Sequence, residues 1–183
     1  MAKGANSLIA AVDLSGLESL FDDLGEAAEE AARPAAQAAA QVFYDTAKAN
    51  VSRIKKLSGN LDKAIYQAFS PENSGQGIAE YHISWNAKTA PHGHLLEVGF
   101  WQRYQVVMTR KGWLTLARPE SAGKKKPRRR ASQAEKDAYY LPRPGGPVYI
   151  PGKAFMRGAL RAEPAAVLAS ADVLWQALER VKR

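Results

Sequence analysis

The fold depends on one segment just past the midpoint of the 183-residue chain, Thr89-Ala90-Pro91-His92-Gly93-His94-Leu95-Leu96-Glu97-Val98-Gly99-Phe100. It follows the strongest strand pattern in the sequence and holds two of the three histidines together with a carboxylate. Corners carried by a rigid scaffold often supply binding or catalytic side chains. Two interpretations are therefore open, a reactive centre or a corner that shapes the fold.

The composition excludes several classes of protein. No apolar run approaches the roughly 18 residues that a membrane span requires, and the N-terminus lacks a signal-peptide pattern. The absence of cysteine rules out disulfides, thiolate metal sites and cysteine nucleophiles, and it suits a reducing cytosol. We expect a protein that does not associate with membranes.

The charge of +8 is unevenly distributed along the chain. Residues 1–34 carry seven acidic and two basic side chains, so residues 35–183 carry a net charge of +13. A basic body behind an acidic head predicts attraction to a polyanion or to an acidic protein surface, although good solubility alone would also account for it. We predict an acidic helical arm over 1–34 and a single domain over 35–183.

The order of elements predicts an α+β fold with helices at both ends. Leucines at three- and four-residue spacing indicate a short helix ending near Gly25, and an alanine-rich stripe predicts a long helix to Ile54, with a kink or a fresh start at Pro34. Lys55 to Gly59 would end that helix, with Gly59 as a left-handed cap, and Leu61, Ile65 and Phe69 share one face of a further helix. A last helix after Pro164 is expected to pack on the sheet.

Between the helices, the pattern predicts a small antiparallel sheet. Residues 78–86 alternate strictly, and runs at 104–110 and 113–118 flank Lys111-Gly112 as a hairpin. The hairpin belongs to an insertion at about 100–150, which also contains a loop, 119–137, expected to be mobile. Within the opening stretch, Leu95 to Val98 should form a short turn stopped by Gly99. Its apolar side chains would reach the core while Glu97 caps backbone amides or pairs with a basic side chain.

Two groups of residues could support other functions. Six cations in seven residues could contact nucleic acid or an acidic surface: Lys124, Lys125, Lys126, Arg128, Arg129 and Arg130. Four side chains could serve a metal-dependent hydrolase: His82, His92, His94 and Glu97. Their spacing matches no helix-borne zinc motif, and no second base accompanies Glu97. We predict no catalytic residue, no cofactor and no metal.

Three short stretches together resemble the neck, or tail-completion, proteins of long-tailed phages, a family also described as head-to-tail joining or minor tail components. The family's step after its long first helix resembles Ser58-Gly59-Asn60-Leu61-Asp62-Lys63-Ala64-Ile65. The family's central signature is similar to His94-Leu95-Leu96-Glu97-Val98-Gly99. The family's closing motif is similar to Pro151-Gly152-Lys153-Ala154-Phe155-Met156-Arg157-Gly158-Ala159-Leu160. The resemblance covers residues 35–180 and leaves the acidic helix outside. Ala154 and Gly158 stand where the family usually has proline.

The resemblance implies a virion structural protein without enzymatic activity. Such a subunit forms a homo-oligomeric ring, expected to be a hexamer, between the portal-side head connector and the tail terminator or tail tube, around the channel that DNA traverses. It is assembled in the host cytoplasm and resides at the neck of the virion. Seven residues carry the family motifs, namely Gly59, Leu61, Glu97, Gly99, Phe155, Met156 and Arg157. The alternative is a stand-alone nucleic-acid-binding module, with the hydrolase as a third hypothesis.

Overall fold

The computed structural model describes residues 15–54, 59–110 and 112–181, and the side chains from residue 19 onward. It confirms the α+β class. The helices and strands, in chain order, are α1 Ser15–Ser52, α2 Asn60–Ala64, β1 Ile65–Phe69, β2 Tyr81–Trp85, α3 Gly93–Val98, β3 Gly99–Gln102, β4 Val106–Thr109, β5 Gly112–Thr115, α4 Gln133–Tyr139, β6 Val148–Pro151 and α5 Glu163–Val181. Short 3-10 helices lie at Pro71–Asn73, Pro119–Ser121 and Arg157–Ala162. The predictions for Lys55 to Ser58, for Lys111 and for the start of the arm fall outside the described residues.

The N-terminal half of the chain is dominated by one helix rather than two. The predicted stop at Gly25 and a fresh start at Pro34 were wrong, because α1 continues through both. A kink at Pro34 stays a prediction. Alanines spaced four and five residues apart at positions 31, 35 and 40 are buried, so the packing face runs past the proline. Pro34 itself lies on the exposed side, where the missing amide hydrogen bond is tolerated.

The strands in the described part of the chain pair two by two. The predicted single sheet is instead three two-stranded sheets, β1–β2, β3–β6 and β4–β5. The predicted helical face of Leu61, Ile65 and Phe69 was wrong, because the chain leaves α2 at Ile65 and continues as a strand paired with β2. The aromatic and β-branched side chains of β1 suit a pleated surface. The hairpin prediction is confirmed by the antiparallel β4–β5 pair.

The chain divides into two compact units. The first comprises Met1–Phe43, Gln67–His82 and Ala162–Arg183, and the second comprises Tyr44–Tyr66 and Ile83–Arg161. In the first unit the guanidinium of Arg33 lies 4.2 Å from the centre of the Phe69 ring, and α1 and α5 line a groove of about 430 Å³. The division at residue 34 into an arm and a domain stays a prediction.

The second unit contains an apolar core centred on Phe155, whose side chain is fully buried. Its ring packs edge-on against Trp85 with ring centres 5.6 Å apart. The other buried members of the cluster come from α1, α2, β1 and the turn before α3, namely Val51, Leu61, Ala64, Ile65 and Ala90. Residues far apart in sequence thus meet at Phe155.

Residues 103–143, here called the basic insertion, form a segment that is closed at its base. A β-bridge joins Tyr104 to Pro142, and the Arg143 amide donates to the Arg103 carbonyl at 3.0 Å. The loop expected to be mobile is ordered at both ends, by the 3-10 helix Pro119–Ser121 and by α4. Helix α4 begins with a capping box in which Ser132 and Glu135 exchange hydrogen bonds, a signal visible in the sequence as Ser-x-x-Glu.

We expect Pro34→Ala to raise the free energy of unfolding by about 1–3 kcal/mol, because alanine restores an amide donor and removes the ring clash within α1. Chemical denaturation followed by circular dichroism measures the change. Pro164→Ala is the matched control, since Pro164 lies in the first turn of α5, where proline is tolerated. An unchanged or lower stability of the Pro34 variant would contradict a continuous, well-packed α1.

Candidate functional site

Two glycines fix the position of the short helix α3. A methyl group on Gly93 would overlap the indole ring of Trp85, so the helix can start against this ring only with glycine there. Gly99 ends α3 with φ of +87°, and a Cβ atom there would lie 2.6 Å from the Ile150 carbonyl oxygen. The predicted turn stopped by Gly99 is therefore confirmed as α3 and its C-terminal cap.

The carboxylate of Glu97 is the one acidic side chain among the described residues that is buried. Its Oε2 accepts a hydrogen bond from the Met156 amide at 2.9 Å, and its Oε1 accepts from the Arg157 amide at 3.0 Å. The Arg157 Nε donates to the same Oε1 at 3.0 Å, and the Arg157 Nη2 donates to the Glu97 carbonyl at 3.1 Å. Glu97 thus both caps backbone amides and pairs with a basic side chain, as predicted. We call this arrangement the Glu97 clamp.

The backbone around the clamp is held equally closely. The Lys153 amide donates to the Leu96 carbonyl at 2.6 Å, and the Ala154 amide donates to the Glu97 carbonyl at 3.2 Å. A Cβ atom on Gly152 would overlap the Glu97 carbonyl oxygen. The closing motif therefore lies directly on the central signature.

The two departures from the family pattern fit this geometry. Ala154 has φ of +46°, which the fixed ring of proline cannot adopt, and its amide is a donor in the clamp region. The Gly158 amide donates to the Ala154 carbonyl at 2.7 Å, a bond that proline could not make. This chain closes the motif with hydrogen bonds at the two positions where the family usually has proline.

Phe155, between Ala154 and Met156, is anchored from α1 as well as by packing. The Asn50 side-chain amide donates to the Phe155 carbonyl at 3.0 Å. No pattern in the sequence predicts this bond, which spans 105 residues. Val98 lies outside the core, contrary to the prediction, because the helical turn directs Glu97 inward and leaves Val98 exposed.

Two of the three histidines make local contacts, and His92 is exposed at the N-terminus of α3. His82 Nε2 lies 2.9 Å from Glu80 Oε1, and His94 Nδ1 lies 3.0 Å from the Pro91 carbonyl oxygen. Both oxygens of Glu97 are occupied by the clamp. The residues that the structure describes include no group of three or more histidine, aspartate or glutamate side chains suited to a metal ion. The hydrolase hypothesis thus gains no support from the geometry.

The basic insertion is the second candidate site. It holds twelve basic and three acidic side chains, a net charge of +9 in a chain whose total is +8. All six clustered cations, Lys124, Lys125, Lys126, Arg128, Arg129 and Arg130, are exposed. Five of the six, with Arg129 the exception, line a surface concavity of about 710 Å³ together with Tyr139. The concavity is lined by five cations, the Glu135 carboxylate and one aromatic ring.

A polar network that sequence reasoning missed anchors this loop. The Tyr104 hydroxyl donates to Asp137 Oδ1 at 2.7 Å, and the Gln133 amide donates to both of these side chains at 2.7 Å. Burial, followed by the bond to Asp137, raises the pKa of Tyr104, while the bonds from Tyr104 and Gln133 hold the pKa of Asp137 below its usual value. Arg118 Nε donates to the Asp137 carbonyl at 3.0 Å. Helix α4 is thereby tied to the base of the hairpin.

Of the residues singled out from the sequence, the structure brings one group together and leaves the other separate. Leu61 and Phe155 share a core cluster, and Met156 packs against it. Glu97 binds the backbone of Met156 and Arg157. The clustered cations lie in the basic insertion, within the same unit. The clamp is therefore a structural site, and the basic insertion is the exposed surface available to a ligand.

Comparison with protein families gives one match, to a family described as "Bacteriophage HK97-gp10, putative tail-component", over residues 16–99. Residues 16–99 are thus similar to a phage tail-component family. The match confirms the resemblance to the siphophage neck and tail-completion family. It begins within α1, so the expectation that the resemblance leaves the acidic helix outside was wrong. The continuous α1 explains this, because the acidic segment and the alanine-rich segment are one helix.

The chain has no match among the curated proteins or the solved structures. The family match ends at Gly99, so the phage tail-component family is recognised through α1 to α3 and includes Glu97 but not its partners. No helix in the described ranges combines the length and the apolar character needed to cross a membrane. The similarity to a phage tail component is consistent with a structural role in the virion.

We expect Glu97→Gln to lower the free energy of unfolding by about 2–4 kcal/mol. Glutamine keeps one acceptor oxygen but places an NH₂ group against an amide donor, and it removes the negative charge beside Arg157. Chemical denaturation measures the loss, and the exposed Glu72→Gln is the control. Wild-type stability of the Glu97 variant would contradict the role assigned to the clamp.

Proposed function

We propose that this protein is a non-enzymatic structural subunit of the phage neck. In this proposal its copies form a ring, with six as the expected number, that joins the head connector to the tail terminator or tail tube. The observation that carries the proposal is the charge arrangement on a tail-component fold: an exposed acidic helix at one end and an exposed insertion of net charge +9. Among the described residues the one buried carboxylate is occupied by internal hydrogen bonds, which suits a subunit that binds its neighbours.

Opposite charges on one chain favour head-to-tail association of copies. The first turns of α1 expose five carboxylates and no basic side chain between residues 19 and 30, namely Asp22, Asp23, Glu26, Glu29 and Glu30. A contact between unlike surfaces of identical copies is heterologous, and it closes into a ring when the rotation between copies divides a full turn. The acidic segment of one copy docking on the basic body of the next would supply such a contact.

The clustered cations of the basic insertion fit a second role, contact with DNA in the channel. Each lysine or arginine that neutralises a phosphate releases a counterion, so the contact needs no base sequence. Tyr139 in the concavity could stack on a sugar or base, as aromatic side chains do in sequence-tolerant sites. A protein lining a channel benefits from contacts that do not depend on which sequence passes. The same surface is what favours the alternative, a stand-alone nucleic-acid-binding module.

The ring is tested by native mass spectrometry of the full chain over a range of concentrations, together with electron microscopy of assembled particles. We expect one closed species, and we expect Asp22→Asn with Asp23→Asn to raise the concentration for half-assembly on the order of tenfold. The exposed pair Glu72→Gln with Glu163→Gln is the control of equal charge change. A closed two-fold dimer, or particles without this protein at the neck, would contradict the proposal.

DNA contact is tested by fluorescence anisotropy with duplex DNA of mixed sequence at increasing salt. We expect Lys124→Gln with Lys125→Gln and Lys126→Gln to reduce the slope of log Kd against log salt by about 2 to 3, because each phosphate contact contributes about 0.9. The matched control is Lys88→Gln with Arg161→Gln and Arg180→Gln, three exposed cations outside the insertion. Equal effects of the two triple variants would show that DNA binding depends on the overall charge of the protein and not on the clustered cations. If the assembled ring does not bind DNA, the clustered cations contact an acidic protein neighbour instead.

A further inference from the structure

The β4–β5 hairpin exposes apolar side chains on both of its faces. Val107 lies opposite Leu114, and Met108 lies opposite Trp113, whose side chain is 61% exposed. Successive side chains of a strand point to opposite sides, so these two pairs occupy the two faces. A two-stranded hairpin is at best marginally stable alone in water, and it commonly needs a further surface to cover it. We call the side with Met108 and Trp113 the hairpin face.

Helix α5 exposes a matching apolar strip on the first unit. Its members recur at three- and four-residue spacing and are all exposed: Pro164, Val167, Leu168, Ala171 and Trp175. Side chains at this spacing lie on one side of a helix. Leu168 and Trp175 are 66% and 61% exposed, which is unusual for large apolar side chains that repeat along one face. We call these residues the α5 strip.

The charges beside the two surfaces are of opposite sign. Along one border of the α5 strip lie Asp172 and Glu179, and the Trp175 indole donates to Glu179 Oε1 at 3.0 Å. The hairpin carries Arg110 at its tip and Arg103 before its first strand, both exposed. Apolar surfaces with complementary charged borders recognise each other through burial of the centre and steering by the rim.

We infer that the hairpin face of one copy docks on the α5 strip of the next copy, with Arg110 against Asp172 and Glu179. This inference rests on the proposed head-to-tail association and adds an apolar contact to the charged one described above. A second copy is the occupant that fits, because both surfaces are apolar, the charges beside them are of opposite sign, and each chain carries one of each. One repeated contact would then cover both surfaces in all copies of a ring.

The cysteine-free sequence allows a direct test by cross-linking. Met108→Cys and Leu168→Cys are made in one chain and treated with a short bismaleimide. We expect a ladder of covalent oligomers that ends at the ring, and a covalent dimer when the two single variants are mixed. Met108→Cys paired with Glu72→Cys, on an exposed 3-10 helix, is the matched control.

Several outcomes would overturn the inference. Cross-linking of Met108→Cys with itself would indicate hairpin-to-hairpin dimers. If the Met108–Leu168 cross-link forms no more than the Glu72 control, the two surfaces do not contact each other between copies and bind a different protein. A ring by native mass spectrometry without these cross-links would refute the contact and leave the proposed function intact. Cross-links without a closed ring would support the contact and refute the ring.

A charge exchange gives a second, independent readout. Arg110→Glu should raise the concentration for half-assembly on the order of tenfold, and adding Asp172→Arg with Glu179→Arg should restore it toward the wild-type value. Restoration separates a direct contact from damage to the hairpin, because damage in one copy cannot be repaired by a change on α5. Failure of the second change to restore assembly would contradict the assigned contact.

Discussion

One buried carboxylate holds the second unit together. Glu97 reaches out of a six-residue helix and binds two backbone amides and a guanidinium that lie about sixty positions later in the chain. Burying a charge is costly unless every lone pair finds a donor, and here both oxygens do. The carboxylate thereby places Phe155, whose backbone is adjacent, in the apolar core beside Trp85. The position of the core depends on the clamp.

The closed base of the basic insertion separates binding from folding. Because residues 103 and 143 are joined by a backbone hydrogen bond, the β3–β6 pair can form whatever the segment between them contains. Cations that would repel one another in a core are carried on the exposed part of this segment, and the network of Tyr104, Gln133 and Asp137 keeps α4 beside the hairpin. The molecule can therefore change its surface charge without changing its core.

Periodicity and short motifs were enough for much of the fold, and packing decided the rest. The hairpin, the α3 corner and the role of Glu97 followed from alternation, glycine placement and a family signature. The Ser-x-x-Glu capping box was a signal for α4 in the sequence, but the charge run beside it led to the prediction of a mobile loop. Ile65 to Phe69 matched helical spacing and still formed a strand, because pairing with β2 satisfies its backbone. The bond from Asn50 to Phe155 had no local signal, since nothing near either residue specifies the other.

The long sequence separation of the clamp also sets an order of events. Contacts such as Asn50 with Phe155, or Glu97 with Arg157, require closure of large loops, which slows folding relative to local helix formation. During synthesis α1 can form early, while the core stays open until residues 155–157 have left the ribosome. An incomplete chain consequently lacks the finished core. The last third of the sequence, which contains residues 155–157, therefore completes a core whose other members come from α1, α2 and β1.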